Sequence, residues 1–208
     1  MKKSILLFLT LAMLHVSGCT QPNQKTDRVV DSACEDCELM FVGMPATPSW
    51  QTTIAGPDEP GEPMIIRGTI YKKDGKTPAP GVILYVYHTD NKGLYSPAPK
   101  QHNAKRHGHL RGWVKTNEQG RYEFNTIRPA SYPNSRNPQH IHPIIKEEGI
   151  APYWIDEFLF EDDPVLTDAE KNHQQKRGGS GIISLVKNEK GIWIGKRDIM
   201  LGMNIPNY

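Results

Sequence analysis

From Met64 onward, apolar residues occur in short runs that are separated by turn residues, and helical periodicity is rare. The runs are rich in β-branched and aromatic side chains, which strands favour. They cover residues 64–71, 81–88, 111–116, 121–126 and 155–160. Short strands at regular spacing with turn chemistry between them predict an all-β fold, a β-sandwich.

Three connections carry turn signals typical of hairpins. The first contains Asp74-Gly75, the second ends in Gly120, and the third contains Asn188 and Gly191. The strands expected to pair are 64–71 with 81–88, 111–116 with 121–126, and 181–186 with 192–200. One short helix is expected near the C-terminal third, because Thr167 and Glu170 form a capping box and Gly178-Gly179 would end it.

The first 18 residues have the pattern of an export signal. Lys2 and Lys3 precede an apolar run that is too short to cross the roughly 30 Å of bilayer hydrocarbon. The following Gly18-Cys19 resembles the bacterial lipobox, which implies cleavage before Cys19, acylation of that cysteine and membrane attachment. Thr20 in the next position suggests, by analogy, the outer membrane. The alternative is an ordinary secretory signal.

Residues 19–50 are polar and then proline-bearing, which predicts a tether, and 51–208 would form the folded domain. The tether contains Cys34 and Cys37. In an exported protein this pair is expected to form a disulfide, although a redox or metal motif is an alternative. The formal charge of +2 falls to about zero once Lys2 and Lys3 are removed. Such a balance lacks the basic stripe of a nucleic-acid-binding protein.

Candidate chemistry concentrates between residues 131 and 143, which contain Tyr132, His140 and His142. In a strand, side chains two residues apart leave the same face, so both histidines can point at one metal while Ile141 enters the core. Imidazole is a common metal ligand. The alternative is a pair of partly exposed strand histidines. Upstream, the turn at residues 90–96 delivers a second tyrosine, Tyr95.

The order Tyr, Tyr, His-x-His resembles the intradiol ring-cleavage dioxygenases, the catechol and protocatechuate dioxygenase family. The resemblance covers about residues 64–165, including Arg111-Gly112 between the tyrosines and the segment 158–164. It implies an intradiol dioxygenase (transthyretin-like) sandwich and an Fe(III) cofactor held by Tyr95, Tyr132, His140 and His142. Anionic oxygen ligands suit this hard ion.

The resemblance also implies an activity, a role in aromatic compound catabolism. A catechol-type ring would be cleaved between its hydroxylated carbons, with both atoms of O2 entering a muconate-type diacid. Tyr132 would be both ligand and base. Catalysis would rest on the metal as Lewis acid and template, with no nicotinamide or flavin.

Two features depart from the family. The arginine that the family places three residues before its first histidine is Asn137 here, although Arg136 is adjacent. Arg136 is therefore the candidate for the catalytic guanidinium, and Leu94, Arg136 and Asn137 are the candidates for substrate binding. The helical N-terminal dimerisation segment of the catechol dioxygenase subgroup is also absent, so that mode of pairing is not expected, and the oligomeric state is left open.

Substrate choice is expected in the loop 96–110, whose His102, Lys105, Arg106, His107 and His109 would form a basic pocket for an acidic ring. The alternative is a solvated basic loop. Leu94 and Trp154 could line an aromatic pocket, or pack in the core. Two other functions compete with a dioxygenase. The first is an envelope-anchored binding or structural lipoprotein whose metal site is vestigial. The second, a zinc hydrolase, is disfavoured by the tyrosines.

Overall fold

The computed structural model describes residues 26–32, 34–97 and 105–208. These residues form two mixed sheets that pack face to face. The strands of the first sheet are β1 (Gln51–Thr53), β2 (Pro63–Tyr71), β5 (Arg121–Ile127), β10 (Leu185–Lys187), β11 (Trp193–Lys196) and β12 (Ile199–Met200). Their order is β1-β5-β2-β11-β10, and β12 pairs with β2.

The second sheet carries the candidate site. Its strands are β3 (Ile83–His88), β4 (Arg111–Lys115), β6 (His140–Lys146), β7 (Tyr153–Trp154), β8 (Phe158–Phe160) and β9 (Ile182–Ile183). Their order is β4-β3-β6-β8-β9, and β7 pairs with β6. The predicted all-β sandwich is confirmed.

The core lies between the sheets because alternate residues of each strand point inward. Along β2 and β5 the inward residues include Ile66, Ile70 and Phe124, and on β3 and β8 they include Leu84 and Phe158, all fully buried. Each such side chain contributes about 1.5–3 kcal/mol through burial. The predicted helix is also confirmed as α1, Asp168–Asn172, with the Thr167–Glu170 capping box formed.

Two of the three predicted hairpins are wrong. Strand β2 pairs with β5, β11 and β12, whereas β3 pairs with β4 and β6. The turn after β2 does close, since the Lys72 amide donates to the Thr77 carbonyl at 2.8 Å, but the chain then crosses to the other sheet. The same holds for β4 and β5. Turn residues specify a reversal of direction, and the burial of both flanking strands decides which sheet each one joins.

The third predicted hairpin forms in part. Strand β10 pairs with β11 in antiparallel fashion, as expected. The first half of the predicted strand, β9, instead pairs with β8 in the second sheet. Ile183 is buried between the sheets. One run of sequence therefore contributes to both sheets.

The expected tether requires a correction for its described residues. Val30 and Met40 are buried, and Asp31 forms a buried ion pair with Arg177. The indole of Trp113 donates to the Met40 carbonyl at 2.6 Å. Residues 34–44 therefore pack on the outer face of the second sheet, because apolar side chains there would otherwise stay exposed to water.

Cys34 and Cys37 are paired as a disulfide, with their Cα atoms 5.6 Å apart. The predicted export signal and the acylation candidate Cys19 lie outside the described residues. Within residues 26–32, 34–97 and 105–208, no helix combines the length and the apolar character that a bilayer crossing requires.

Candidate metal centre

Strand β6 places both histidines at the centre of the second sheet. Ile141 is fully buried in the core, so its neighbours His140 and His142 leave the opposite, outer face. In the ladder, His142 lies opposite Tyr87 of β3, and His140 lies opposite Leu159 of β8. The predicted alternation is confirmed.

A turn organised by Asp90 brings Tyr95 to this face. The Asp90 carboxylate accepts hydrogen bonds from the Lys92 amide at 2.8 Å, the Leu94 amide at 3.0 Å and the Ser96 hydroxyl at 2.6 Å. These bonds hold the pKa of Asp90 below its usual value although its partial burial acts in the opposite direction. The turn is thereby fixed on both sides of Tyr95.

Gly93 in the same turn allows the two tyrosine-bearing segments to meet. Its φ of 76° lies in the left-handed region, and a Cβ at this position would lie 2.0 Å from the carbonyl oxygen of Ser131. Ser131 immediately precedes Tyr132. A glycine is therefore required for the close approach of Tyr95 and Tyr132.

The four side chains named from the sequence converge. The hydroxyl oxygen of Tyr132 lies 2.7 Å from that of Tyr95 and 2.9 Å from Nε2 of His140. Nε2 of His142 lies 2.9 Å from the Tyr95 oxygen, 3.1 Å from Nε2 of His140 and 3.4 Å from the Tyr132 oxygen. Two oxygens and two nitrogens thus surround one point.

Backbone contacts orient His140. Its Nδ1 lies 2.6 Å from the Pro138 carbonyl oxygen, which can only accept, so the proton of the neutral ring is on Nδ1. The preceding Gln139 is held by its amide, which donates to Asp163 at 2.6 Å. The lone pair of His140 therefore lies on Nε2 and faces the cluster, as a metal ligand requires.

In the absence of a cation, burial favours the neutral forms of His142 and of the two tyrosines. Burial, and then the neighbouring His140, lower the pKa of His142 to about 3. Burial raises the pKa of the Tyr132 hydroxyl, and burial together with the hydrogen bond to Tyr132 raises that of Tyr95. A multivalent cation would instead lower the pKa of both tyrosine hydroxyls, because it stabilises the phenolate form directly.

The donor set fits the ferric ion expected from the sequence. Two phenolates would offset two of its three charges, and oxygen donors suit a hard ion. Among the described residues, no group of three or more His, Cys, Asp or Glu side chains is placed to hold a metal. The convergent cluster combines two imidazoles with two phenols instead.

Aromatic rings that the sequence did not assign to the metal centre support the cluster. The ring of Tyr87 stacks on that of His142, with centroids 4.6 Å apart, and on that of His107 at 3.7 Å. Tyr85 and His107 are joined by a 2.9 Å hydrogen bond between the hydroxyl and Nδ1. These contacts fix the plane of the His142 imidazole. The only sequence signal for this supporting role is that Tyr85 and Tyr87, two residues apart in β3, point to the same outer face.

Two cavities flank His142. The tyrosine-side cavity, about 270 Å³, is lined in part by Tyr132, Asn137, His140, His142 and Glu157. The disulfide-side cavity, about 310 Å³, is lined in part by Cys34, Tyr87, His142, Trp154 and Glu157. Glu157 belongs to both and was missed from the sequence. It lies two residues before Leu159, the cross-strand neighbour of His140, which places it on the same face.

A more voluminous groove, about 840 Å³, lies elsewhere and is lined by Lys72, Lys115 and Lys146 among others. None of the four convergent side chains lines it. The chemistry of the side chains, and not the volume of the space, therefore locates the candidate site.

Of the remaining candidates for substrate binding and catalysis, only some line the two cavities. Asn137 lines the tyrosine-side cavity, whereas Arg136 is exposed and lines neither cavity. Leu94 is 48% exposed, and it too lies outside both linings. Trp154 lines the disulfide-side cavity and stacks against the Arg177 guanidinium, which lies 3.5 Å from the ring centre. The catalytic part expected of Arg136 stays a prediction.

The predicted basic loop does not form a basic pocket in its described part. Arg106 makes ion pairs with Glu35 and Asp36, at 3.1 and 2.8 Å. His107 is buried against Tyr87, and burial lowers its pKa to about 4. His109 lies 2.9 Å from Glu59. His102 lies outside the described residues, and the side chain of Lys105 does as well.

Comparisons with known proteins give one consistent result. The model of a dioxygenase family matches residues 41–176. The catechol 1,2-dioxygenase 1 of Acinetobacter lwoffii is 31% identical over 128 residues, which are 54% of this chain and 40% of that protein. The chlorocatechol 1,2-dioxygenase of Rhodococcus opacus is 32% identical over 181 residues, 77% of this chain and 61% of that protein. The chain thus spans less than two thirds of the length of each of these relatives.

Solved structures agree on the fold. The catechol 1,2-dioxygenase from Acinetobacter sp. ADP1 superposes with a TM-score of 0.60 at 21% identity, covering 79% of this chain and 62% of that one. The dioxygenase domain of a dioxygenase carbohydrate-binding protein fusion from Streptomyces sp. SirexAA-E gives 0.57 at 20% identity, covering 76% and 90%. Since the family model matches well over half of its residues, the chain belongs to the intradiol dioxygenase family.

Proposed function

We propose that this protein is an Fe(III)-dependent intradiol dioxygenase that cleaves a catechol-type ring between its two hydroxylated carbons and incorporates both atoms of O2. The observation that carries the proposal is the convergence of the Tyr95 and Tyr132 oxygens with Nε2 of His140 and His142, in which five of the six atom pairs lie 2.7 to 3.4 Å apart. The related catechol and chlorocatechol 1,2-dioxygenases support the reaction class.

The positions of the four convergent residues indicate which of them would bind the metal and which would accept a proton. Tyr95, His140 and His142 would hold the metal, since Pro138 fixes His140 and Tyr87 fixes His142. Tyr132 lines the tyrosine-side cavity, whereas Tyr95 does not. A substrate hydroxyl that enters this cavity would meet the Tyr132 oxygen first, and Tyr132, in the phenolate form that a bound cation favours, would accept the hydroxyl proton and become a neutral phenol. Bound ferric iron supplies Lewis acidity and a template for the diol and O2.

The direct test is oxygen consumption by the iron-loaded protein with a panel of catechols, together with identification of the product. We expect one O2 per ring and a muconate-type diacid that contains two oxygen atoms from labelled O2. A product cleaved beside the diol, or no uptake with any catechol, would contradict the proposal.

We further propose that the protein is attached to the cell envelope through acylated Cys19, at the outer membrane. The support is the sequence alone: the apolar run, Gly18 before Cys19, and Thr20 after it. Labelling with a fatty acid should mark the wild type, and Cys19→Ser should lose the label and leave the membrane fraction. A Cys19→Ser variant that keeps the label would refute acylation at this position.

One observation favours a second function, that of an envelope-anchored binding protein with a vestigial site. Arg136 is exposed and lines neither cavity, so the guanidinium that the family brings to its substrate is absent from the described cavity linings. This alternative predicts protein that binds no iron and consumes no oxygen. Metal analysis after aerobic purification separates the two functions.

A further inference from the structure

Glu157 places a carboxylate beside one of the four convergent side chains, His142. Its Oε1 lies 3.7 Å from Nδ1 of His142, and 41% of its side chain is exposed. It lines the tyrosine-side cavity and the disulfide-side cavity, the two spaces from which a ring could reach the cluster. A substituent on a ring held at Tyr132 would therefore lie near this carboxylate.

One cation that acts on Glu157 electrostatically, Arg197, lies outside both cavities. Among the described residues, no Lys or Arg side chain lines either cavity. Arg106 forms ion pairs with Glu35 and Asp36. Arg197 lies in the core, where it donates a hydrogen bond to the Asp156 carbonyl at 2.7 Å.

The other two acidic residues of the cavities are engaged elsewhere. Glu35 is 82% exposed and pairs with Arg106. Glu170 accepts two hydrogen bonds from Thr167, from its amide and from its hydroxyl, in the cap of α1. Every charged side chain that lines the two cavities in the described part of the chain is thus acidic, and Glu157 is the one that lies beside His142.

We propose that Glu157 makes the site selective for catechols whose ring carries a cationic or neutral substituent, and that it excludes catechols with a carboxylate substituent. The inference rests on the proposed dioxygenase function and specifies its substrate class. This substrate class is the opposite of the one expected from the sequence, in which a basic loop would bind an acidic ring. The basic side chains of that loop that the structure describes are buried or paired with carboxylates. A charge that acts over several ångströms at a partly exposed site changes affinity by roughly tenfold.

The test compares three catechols that bear an aminoethyl, a methyl or a carboxylate group on the ring. Dissociation constants are measured by calorimetry on iron-loaded protein without oxygen, so that binding is read independently of turnover, and kcat/KM is measured in air. Each value is divided by that of the methyl compound in the same variant, which removes any general loss of affinity. We expect the aminoethyl compound to bind at least about tenfold more tightly than the carboxylate.

Glu157→Gln should reduce this ratio to within about threefold. Glu170→Gln is the matched control, because it removes the same charge from the tyrosine-side cavity and glutamine preserves a capping box. The control should keep the wild-type ratio. A preference for the carboxylate compound, or an equal effect of the two substitutions, would overturn the inference and leave the dioxygenase function intact. Failure of all three compounds to bind would overturn both.

Discussion

The hydroxyl oxygens of Tyr95 and Tyr132 lie 2.7 Å apart, although 37 positions separate the two residues in the chain. Burial raises the pKa of each phenol, so without a cation the pair shares hydrogen bonds as neutral groups. Two phenolates at this distance would repel each other strongly. The arrangement is therefore stable as an anionic pair only around a multivalent cation.

Tyr132→Phe should separate proton transfer from metal binding. Three donors remain, so we expect the variant to retain most of its iron and to lose at least about a hundredfold in kcat, the usual range for a positioned acid or base. Iron content and oxygen uptake are measured on the same sample. Turnover equal to the wild type would refute the role of Tyr132 as base.

His142→Ala removes a proposed metal ligand, whose ring is stacked on Tyr87. We expect iron content to fall several-fold, with the larger part of the loss reversed by excess ferric ion. His173→Ala, on the exposed end of α1, is the control and should bind as the wild type. Unchanged iron in His142→Ala would mean that the four side chains do not share a metal.

Gly93→Ala tests the close approach of the two tyrosine-bearing segments. The new methyl group would lie 2.0 Å from the Ser131 carbonyl oxygen, so the turn must shift and Tyr95 must move away from Tyr132. Gly149→Ala is the control, since its φ is 72° but no atom lies within 4 Å of the added carbon.

The control carries only the cost of a left-handed alanine, about 1 kcal/mol. Gly93→Ala should lose about 1–3 kcal/mol more in the free energy of unfolding, because overpacking adds to that cost. It should also bind iron more weakly. Equal behaviour of the two variants in denaturant titrations would contradict the required contact.

The strand positions could be predicted from the sequence, and the pairing of the strands could not. Apolar runs located β2 to β5, and turn residues marked the reversals between them. Whether a reversal joins two hydrogen-bonded strands or two facing sheets depends on what covers each strand, as the corrected pairing of β2 and β3 illustrates. That information lies in contacts between distant residues.

Some residues of the candidate site could be predicted from the sequence and others could not. The four convergent side chains could be named because their order is distinctive and His140 and His142 obey strand alternation. Tyr87, His107 and Glu157 carry no such pattern, since each reaches the site through a neighbouring strand or a loop. The covering of the second sheet by residues 34–44 was missed because the segment is polar on average and buries only a few side chains, such as Met40.

Stability should fall as the pH is lowered, and His88 should contribute. His88 is buried between Thr89 and Thr126, and burial lowers its pKa from 6.5 to about 4. The unfolded chain therefore binds more protons than the folded chain between pH 6.5 and 4, and stability is lost as the pH falls through this window. The expected contribution is about 2–3 kcal/mol. Denaturant titrations of wild type and His88→Gln across this range measure it.

Between pH 6.5 and 4, the free energy of unfolding of His88→Gln should depend less steeply on pH than that of the wild type. The buried His107, with its pKa lowered to about 4, accounts for part of the remaining slope in the same direction. His173→Gln, at an exposed position, should keep the full slope. Parallel curves for His88→Gln and wild type would show that His88 is not buried in its neutral form.

Arg136→Leu tests the family role expected of a guanidinium before the first histidine. Arg136 is exposed and lines neither cavity, so we expect kcat/KM with a neutral catechol to change less than about twofold. A tenfold loss with unchanged stability would show that the loop after Tyr132 brings Arg136 to the substrate.

The most direct test of the metal centre is the visible absorption spectrum of the purified, iron-loaded protein. If Tyr95 and Tyr132 coordinate ferric iron, a tyrosinate-to-iron charge-transfer band is present. It weakens in Tyr95→Phe, and it persists in Tyr85→Phe, whose hydroxyl contacts His107 instead. A stoichiometric iron protein without such a band would contradict the account.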